Sequence, residues 1–209
     1  MRFAYDPTLY HIFFDDFDKY TAGDWTLTTV EAGAGSATEA IGNADGGVLV
    51  ITNDAADDDS DFYQHAKESF KYVAGKRLHF KIRFKVSDAA QCDLVAGLQI
   101  TDTTPLAVSD GIFFRKSDGD NTLQLVVCKN GTETVVDCHE MVTDTYVVAE
   151  FVYDGDDHIK AFIDGVSVAR AALTNVPDDE ELAISFGIQN GEAVAKIMSV
   201  DYVFALKER

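Results

Sequence analysis

The stretch RLHFKIRFKV, residues 77 to 86, alternates without a break: Leu78, Phe80, Ile82, Phe84 and Val86 fall on one face, His79, Lys81, Arg83 and Lys85 on the other. A period of two over this length is that of a β-strand with one face in a core. The outer face is basic in a chain with 17 Lys+Arg, 36 Asp+Glu and a formal charge of −19. Lys67, Lys71, Lys76 and Arg77 extend the band beyond the strand. Two readings fit. Lysines on an outer face guard a sheet edge against pairing with a foreign strand, and a positive band on an acidic molecule suits contact with another protein's acidic surface.

The same patterning recurs along the chain. Residues 46 to 53, 92 to 101, 111 to 116, 121 to 129, 146 to 154, 158 to 165, 182 to 189 and 196 to 206 are rich in β-branched and aromatic residues, and turn formers such as Asn130-Gly131, Asp154-Gly155 and Asp164-Gly165 separate them. Leu182, Ile184, Phe186 and Ile188 share a face, as do Met198, Val200, Tyr202, Phe204 and Leu206. Such faces need a second sheet to cover them. The expected fold is all-β, a two-sheet antiparallel sandwich of the jelly-roll kind, with Phe151, Ile163, Ile184, Phe186, Val200 and Tyr202 joining the even-numbered residues 78 to 86 in the core. Residues 13 to 209 read as one domain. Residues 1 to 12, which bring Phe3, Tyr5 and Tyr10, read either as an aromatic arm that docks on a neighbour or as an edge segment folded back on the sandwich.

Composition excludes several classes. A charge of −19 argues against nucleic-acid and anionic-membrane binding, and no run of apolar residues is long enough to cross a bilayer. The opening residues lack the pattern of an export signal. Cys92, Cys128 and Cys138 are odd in number and have no CxxC spacing, which points to free thiols in place of a disulfide framework or zinc site. A type I′ turn at Asn130-Gly131 pairs Cys128 with Glu133 and Cys138 with Leu123, so the two thiols do not face each other.

Sites for chemistry are sparse. Glycoside hydrolysis needs two carboxylates facing one bond, and no strand shows the ExDxE alternation of jelly-roll glucanases; Glu150 has only Val148 and Val152 as same-face neighbours, and Asp201 only Ser199 and Val203. The acidic runs around Asp54 to Asp61 and Asp154 to Asp157 lack a full calcium-ligand set, so no metal or other cofactor is expected. The five histidines are scattered, and neither a GxSxG elbow nor a phosphate-binding loop is present.

Two stretches resemble known folds. FFDDFDKYTAGDW, residues 13 to 25, resembles the opening strand and following tryptophan of concanavalin A-like jelly rolls, and YVVAEFVYDGDDHIKAFIDGVSVA, residues 146 to 169, resembles consecutive strands of laminin-G-type domains. Residues 68 to 120 and ISFGIQNGEAVAKIMSVDYVFALKER, 184 to 209, are similar to virion proteins of tailed bacteriophages. That resemblance implies a non-enzymatic protein decorating a capsid, made in the host cytoplasm and carried on the virion. Its partners would be the major capsid protein lattice and copies of itself. The contact would use His79, Lys81, Arg83, Lys85, Phe3, Tyr5 and Tyr10, with no catalytic residues. The alternative is a lectin-like module that binds a glycan.

Overall fold

The computed structural model describes residues 6–209; Phe3 and Tyr5 lie outside them. Two antiparallel sheets stack face to face. The first runs β13 (Val166–Ala172), β12 (His158–Ile163), β11 (Val147–Tyr153), β6 (Leu78–Val86), β15 (Ile197–Glu208), β4 (Val48–Thr52), β3 (Thr38–Gly42), and β1 (Tyr10–Asp15) pairs with the C-terminal half of β15. The second runs β10 (Thr132–Glu140), β9 (Thr122–Lys129), β8 (Gly111–Lys116), β7 (Cys92–Gln99), β14 (Ala183–Asn190), β5 (Ser60–His65), β2 (Trp25–Val30).

The inward face of β6 is fully buried from Leu78 to Val86, in the register its alternation predicts. It meets Leu94, Ala96 and Leu98 of β7, Phe114 of β8 and Ile184, Phe186 and Ile188 of β14 in one continuous core. Trp25 joins it.

Three expectations are corrected. β6 lies between β11 and β15, well inside its sheet, so its lysines guard no edge. Tyr202 does not share the face of Val200: a bulge at Asp201 shifts the register, sends Val203 and Ala205 inward, and turns Tyr202 outward opposite Arg83. Asn130 and Gly131 both take positive φ, as a type I′ turn requires, and Cys128 faces Glu133 as expected. A second bulge between Asp137 and His139 then sets His139, in place of Cys138, opposite Leu123.

Tyr10 pairs with Glu208 at the start of β1, so the segment after the described start is a strand of the first sheet. β1 lies along β15 through cross-strand neighbours such as Phe14 and Phe204.

Candidate functional site

The outer face of the seven-stranded sheet is partly apolar. Phe62, Val95, Phe113, Val126 and Cys128 form a second buried cluster there, on the side away from the inter-sheet core. Burying them requires a cover, and residues 100 to 110, which join β7 to β8, provide one: Val108 packs into the cluster, with Ile100 and Leu106 against it. Polar contacts hold this cover down. Gln99 Nε2 donates to the Pro105 carbonyl at 3.0 Å, Gln64 Oε1 accepts from Asp102 N at 3.2 Å, and Glu68 Oε1 accepts from Thr101 N at 2.7 Å. Asp102 Oδ1 accepts from both the amide and the hydroxyl of Thr104, fixing the turn before Pro105.

Beneath the cover, Gly97 and Gly187 sit where neighbouring strands press too close for a side chain. A Cβ on Gly97 would lie 2.4 Å from Phe113 Cα, and one on Gly187 would lie 2.4 Å from the Asp61 carbonyl oxygen. Phe113 Cβ lies against Gly97 and the Phe62 ring against Gly187.

Between the cover and the β2–β5 side of the sheet lies a cleft of about 240 Å³. Thr28, Ser60, Gln189, Thr103 and Thr104 supply its polar groups; Phe62, Val30 and Pro105 are among its apolar ones. Asp93 lies directly across from Gln189 on the neighbouring strand. Its carboxyl is held above the usual range by burial, while Oδ1 accepts from Asp118 N at 2.9 Å. Farther along the sheet the acids are engaged: Arg115 clasps Glu133 through two bonds of 2.7 and 2.9 Å, and Gln124 Nε2 donates to Asp137 Oδ1 at 2.8 Å. Sequence reasoning missed this cleft. The one local signal was the Asp-Thr-Thr-Pro turn at 102 to 105.

On the opposite side of the molecule, the basic band is neutralised by its neighbours. Glu150 on β11 receives His79 Nε2 at 2.8 Å and Lys81 Nζ at 3.2 Å. Arg83 pairs with Asp201 in the β15 bulge, and Lys85 Nζ lies 3.4 Å from Asp144. The Tyr146 ring carries Arg83 at 4.1 Å and Lys85 at 5.6 Å. Burial works to raise the Glu150 carboxyl, but the hydrogen bond and charge of His79 and the charge of Lys81 outweigh it and hold the group below its ordinary range. The lysines and arginine of the band are therefore paired with acids from β11, β15 and the β10–β11 connection.

No family model and no curated protein matches this chain in sequence. Solved structures match its fold over nearly its whole length. A Shewanella oneidensis protein of unknown function superposes with a TM-score of 0.66 at 16% identity, covering 96% of this chain and 87% of that one. An endo-1,3-β-glucanase from Streptomyces sioyaensis gives 0.65 at 15% over 99% of both chains. The carbohydrate recognition domain of Emp46p gives 0.62 at 10%, over 92% and 94%. The fold is a concanavalin A-like jelly roll. At these identities the likeness establishes the fold alone.

These neighbours overturn the expectation of a non-enzymatic, capsid-decorating protein. The solved structures that share the fold include several glucanases and a carbohydrate recognition domain, and nothing points to a virion, a capsid lattice or assembly with further copies.

Proposed function

We propose that this chain is a carbohydrate-active protein that seats a neutral saccharide in the cleft between residues 103 to 107 and strands β2, β5 and β14. The observation that carries this reading is the cleft's lining. A pyranose presents C–H faces and a rim of hydroxyls. The surface that lines the cleft is almost wholly apolar, with Val30, Pro105, Leu106 and Ala107 suited to the first; the few hydroxyls for the second come from Thr28, Thr103 and Thr104, since Ser60 is buried and Gln189 Nε2 is engaged with the Asp58 carbonyl. A charge of −19 disfavours anionic sugars such as uronates. Asp93 beside Gln189 adds a half-buried carboxyl whose raised pKa keeps it a proton donor to higher pH than an ordinary aspartate. Fold neighbours that act on β-glucans or recognise carbohydrate make a β-linked glucan the first ligand to try.

The test is calorimetric titration with mixed-linkage β-glucan oligosaccharides, run beside an assay for released reducing ends. Thr28→Val and Thr103→Val each remove one hydroxyl from the cleft and should weaken binding by about three- to tenfold, whereas Lys81→Gln on the far sheet should leave it unchanged. Equal affinity in the cleft variants and the wild type would refute the reading.

A further inference from the structure

The inner face of β5 carries a carboxyl group that no cation answers. Asp61 is fully buried. Its Oδ1 accepts from the Thr29 hydroxyl at 2.5 Å, and its Oδ2 is buried with no donor. The titratable groups around it come from several segments, and all are acids. Glu39, exposed on β3 of the opposite sheet, is paired there with the core residue Ile51 and so stands on the inward side of its strand; it and Glu31 after β2 add negative charge around the Asp61 carboxyl. Tyr63 occupies the next inward position on β5, with Tyr20 close to both. Asp59 precedes on the same strand face, also buried, its Oδ1 accepting from Ala32 N. Across β14 stands Ile188. No ion pair among the described residues includes Asp61.

A buried carboxylate with no counter-charge and a second carboxylate against it is strongly disfavoured. One proton removes the conflict, because a neutral Asp61 can donate from Oδ2 to a neighbouring carboxylate. We propose that Asp61 and Glu39 share a proton that latches β3 of one sheet to β5 of the other, and that losing it as pH rises frees β3 and the loop at 31 to 37. Burial, above all, pushes the Asp61 carboxyl up to about 7; the Thr29 bond works against this, and Glu39 and Glu31 reinforce it. The closed form therefore holds a proton that the open form, with an ordinary pKa of 3.8, has lost. Closure is favoured most below that value, weakens as pH rises toward about 7, and levels off above it. The latch stands directly behind the cleft, since Ser60 and Phe62 flank Asp61 and Thr28 and Val30 flank Thr29, all four lining it. Its test needs no saccharide, so it stands or falls apart from the proposed function.

Hydrogen exchange, read by mass spectrometry on peptides covering residues 31 to 42 and corrected for intrinsic rates, measures the opening. In the wild type the open population should rise by up to about tenfold per pH unit between about pH 4 and pH 7, then level off. Asp61→Asn, which mimics the protonated group, should flatten the profile. Glu39→Gln, whose amide can donate to the carboxylate, should move the midpoint to lower pH. A flat wild-type profile, or an unchanged one in Asp61→Asn, would overturn the proposal. So would protection at high pH restored by added calcium in the wild type and absent from Asp61→Asn, because the pair would then hold a cation in place of a proton.

Discussion

Replacing Phe186 by alanine tests how the inner face of the seven-stranded sheet is packed around β14. Phe186 is fully buried on β14 and stacks on Tyr63 of β5 at 5.5 Å, nearly parallel. It meets Trp25 of β2 edge-on at 5.3 Å and Phe17 at 6.0 Å. Truncating a buried phenylalanine costs about 3 to 5 kcal/mol, depending on how far the site collapses. Here collapse is restricted. The next residue, Gly187, already lies so close to β5 that even a Cβ would clash with the Asp61 carbonyl oxygen, and the three partner rings are themselves buried. The upper half of the range, about 4 to 5 kcal/mol, is expected, or a fall in Tm of roughly 8 to 20 °C for a domain of this size. Urea denaturation with the slope unchanged is the assay. Phe14, 59% exposed on β1, is the control, and Phe14→Ala should cost about 0.5 kcal/mol or less. A loss below about 1.5 kcal/mol for Phe186→Ala, or equal losses in the two variants, would refute the packing described.

Two further outcomes follow from the same geometry. Glu150→Ala leaves His79 and Lys81 without their shared acceptor and should lower stability by about 1 to 3 kcal/mol, whereas Asp144→Ala, at the exposed end of the Lys85 pair, should change thermal melts by no more than about 0.5 kcal/mol. Cys92 is fully buried, and burial pushes its thiol up to about 11; a thiol reagent at neutral pH should label it in denaturant and leave it intact in the native protein, and rapid native labelling would contradict the burial.

What the sequence made legible was the strands with two distinguishable faces. β6, β11 and β14 announce themselves because each alternates cleanly against the core. β5 was hidden: its inner face mixes Asp61 with Tyr63, its outer face mixes Phe62 with Gln64, and an acidic run precedes it, so SDFYQH looked like a continuation of a loop. β2 and β3 are edge strands rich in threonine and small residues, with little apolar signal. The basic band was visible and its partners were not, since Glu150 and Asp201 come from other strands and only pairing register brings them to Lys81 and Arg83. A strand's place in a sheet is likewise absent from its own pattern, which is why β6 could be mistaken for an edge. The cleft was illegible for a related reason. It is assembled from β2, β5, β14 and the β7–β8 connection, each contributing ordinary serine, threonine or glutamine side chains. The Asp61–Glu39 pair joins residues from opposite sheets, and nothing local distinguishes Asp61 from the exposed Asp57 and Asp58 before it.

The most direct test of the proposed function is to map where a saccharide lands. With the protein isotopically labelled, titration with a mixed-linkage β-glucan oligosaccharide should shift the backbone amide resonances of Thr28, Ser60, Phe62, Thr104, Leu106 and Gln189, with those of Lys81, Arg83 and Glu150 on the opposite sheet unmoved. Shifts confined to the β6–β11–β15 face, or none at saturating ligand, would contradict it.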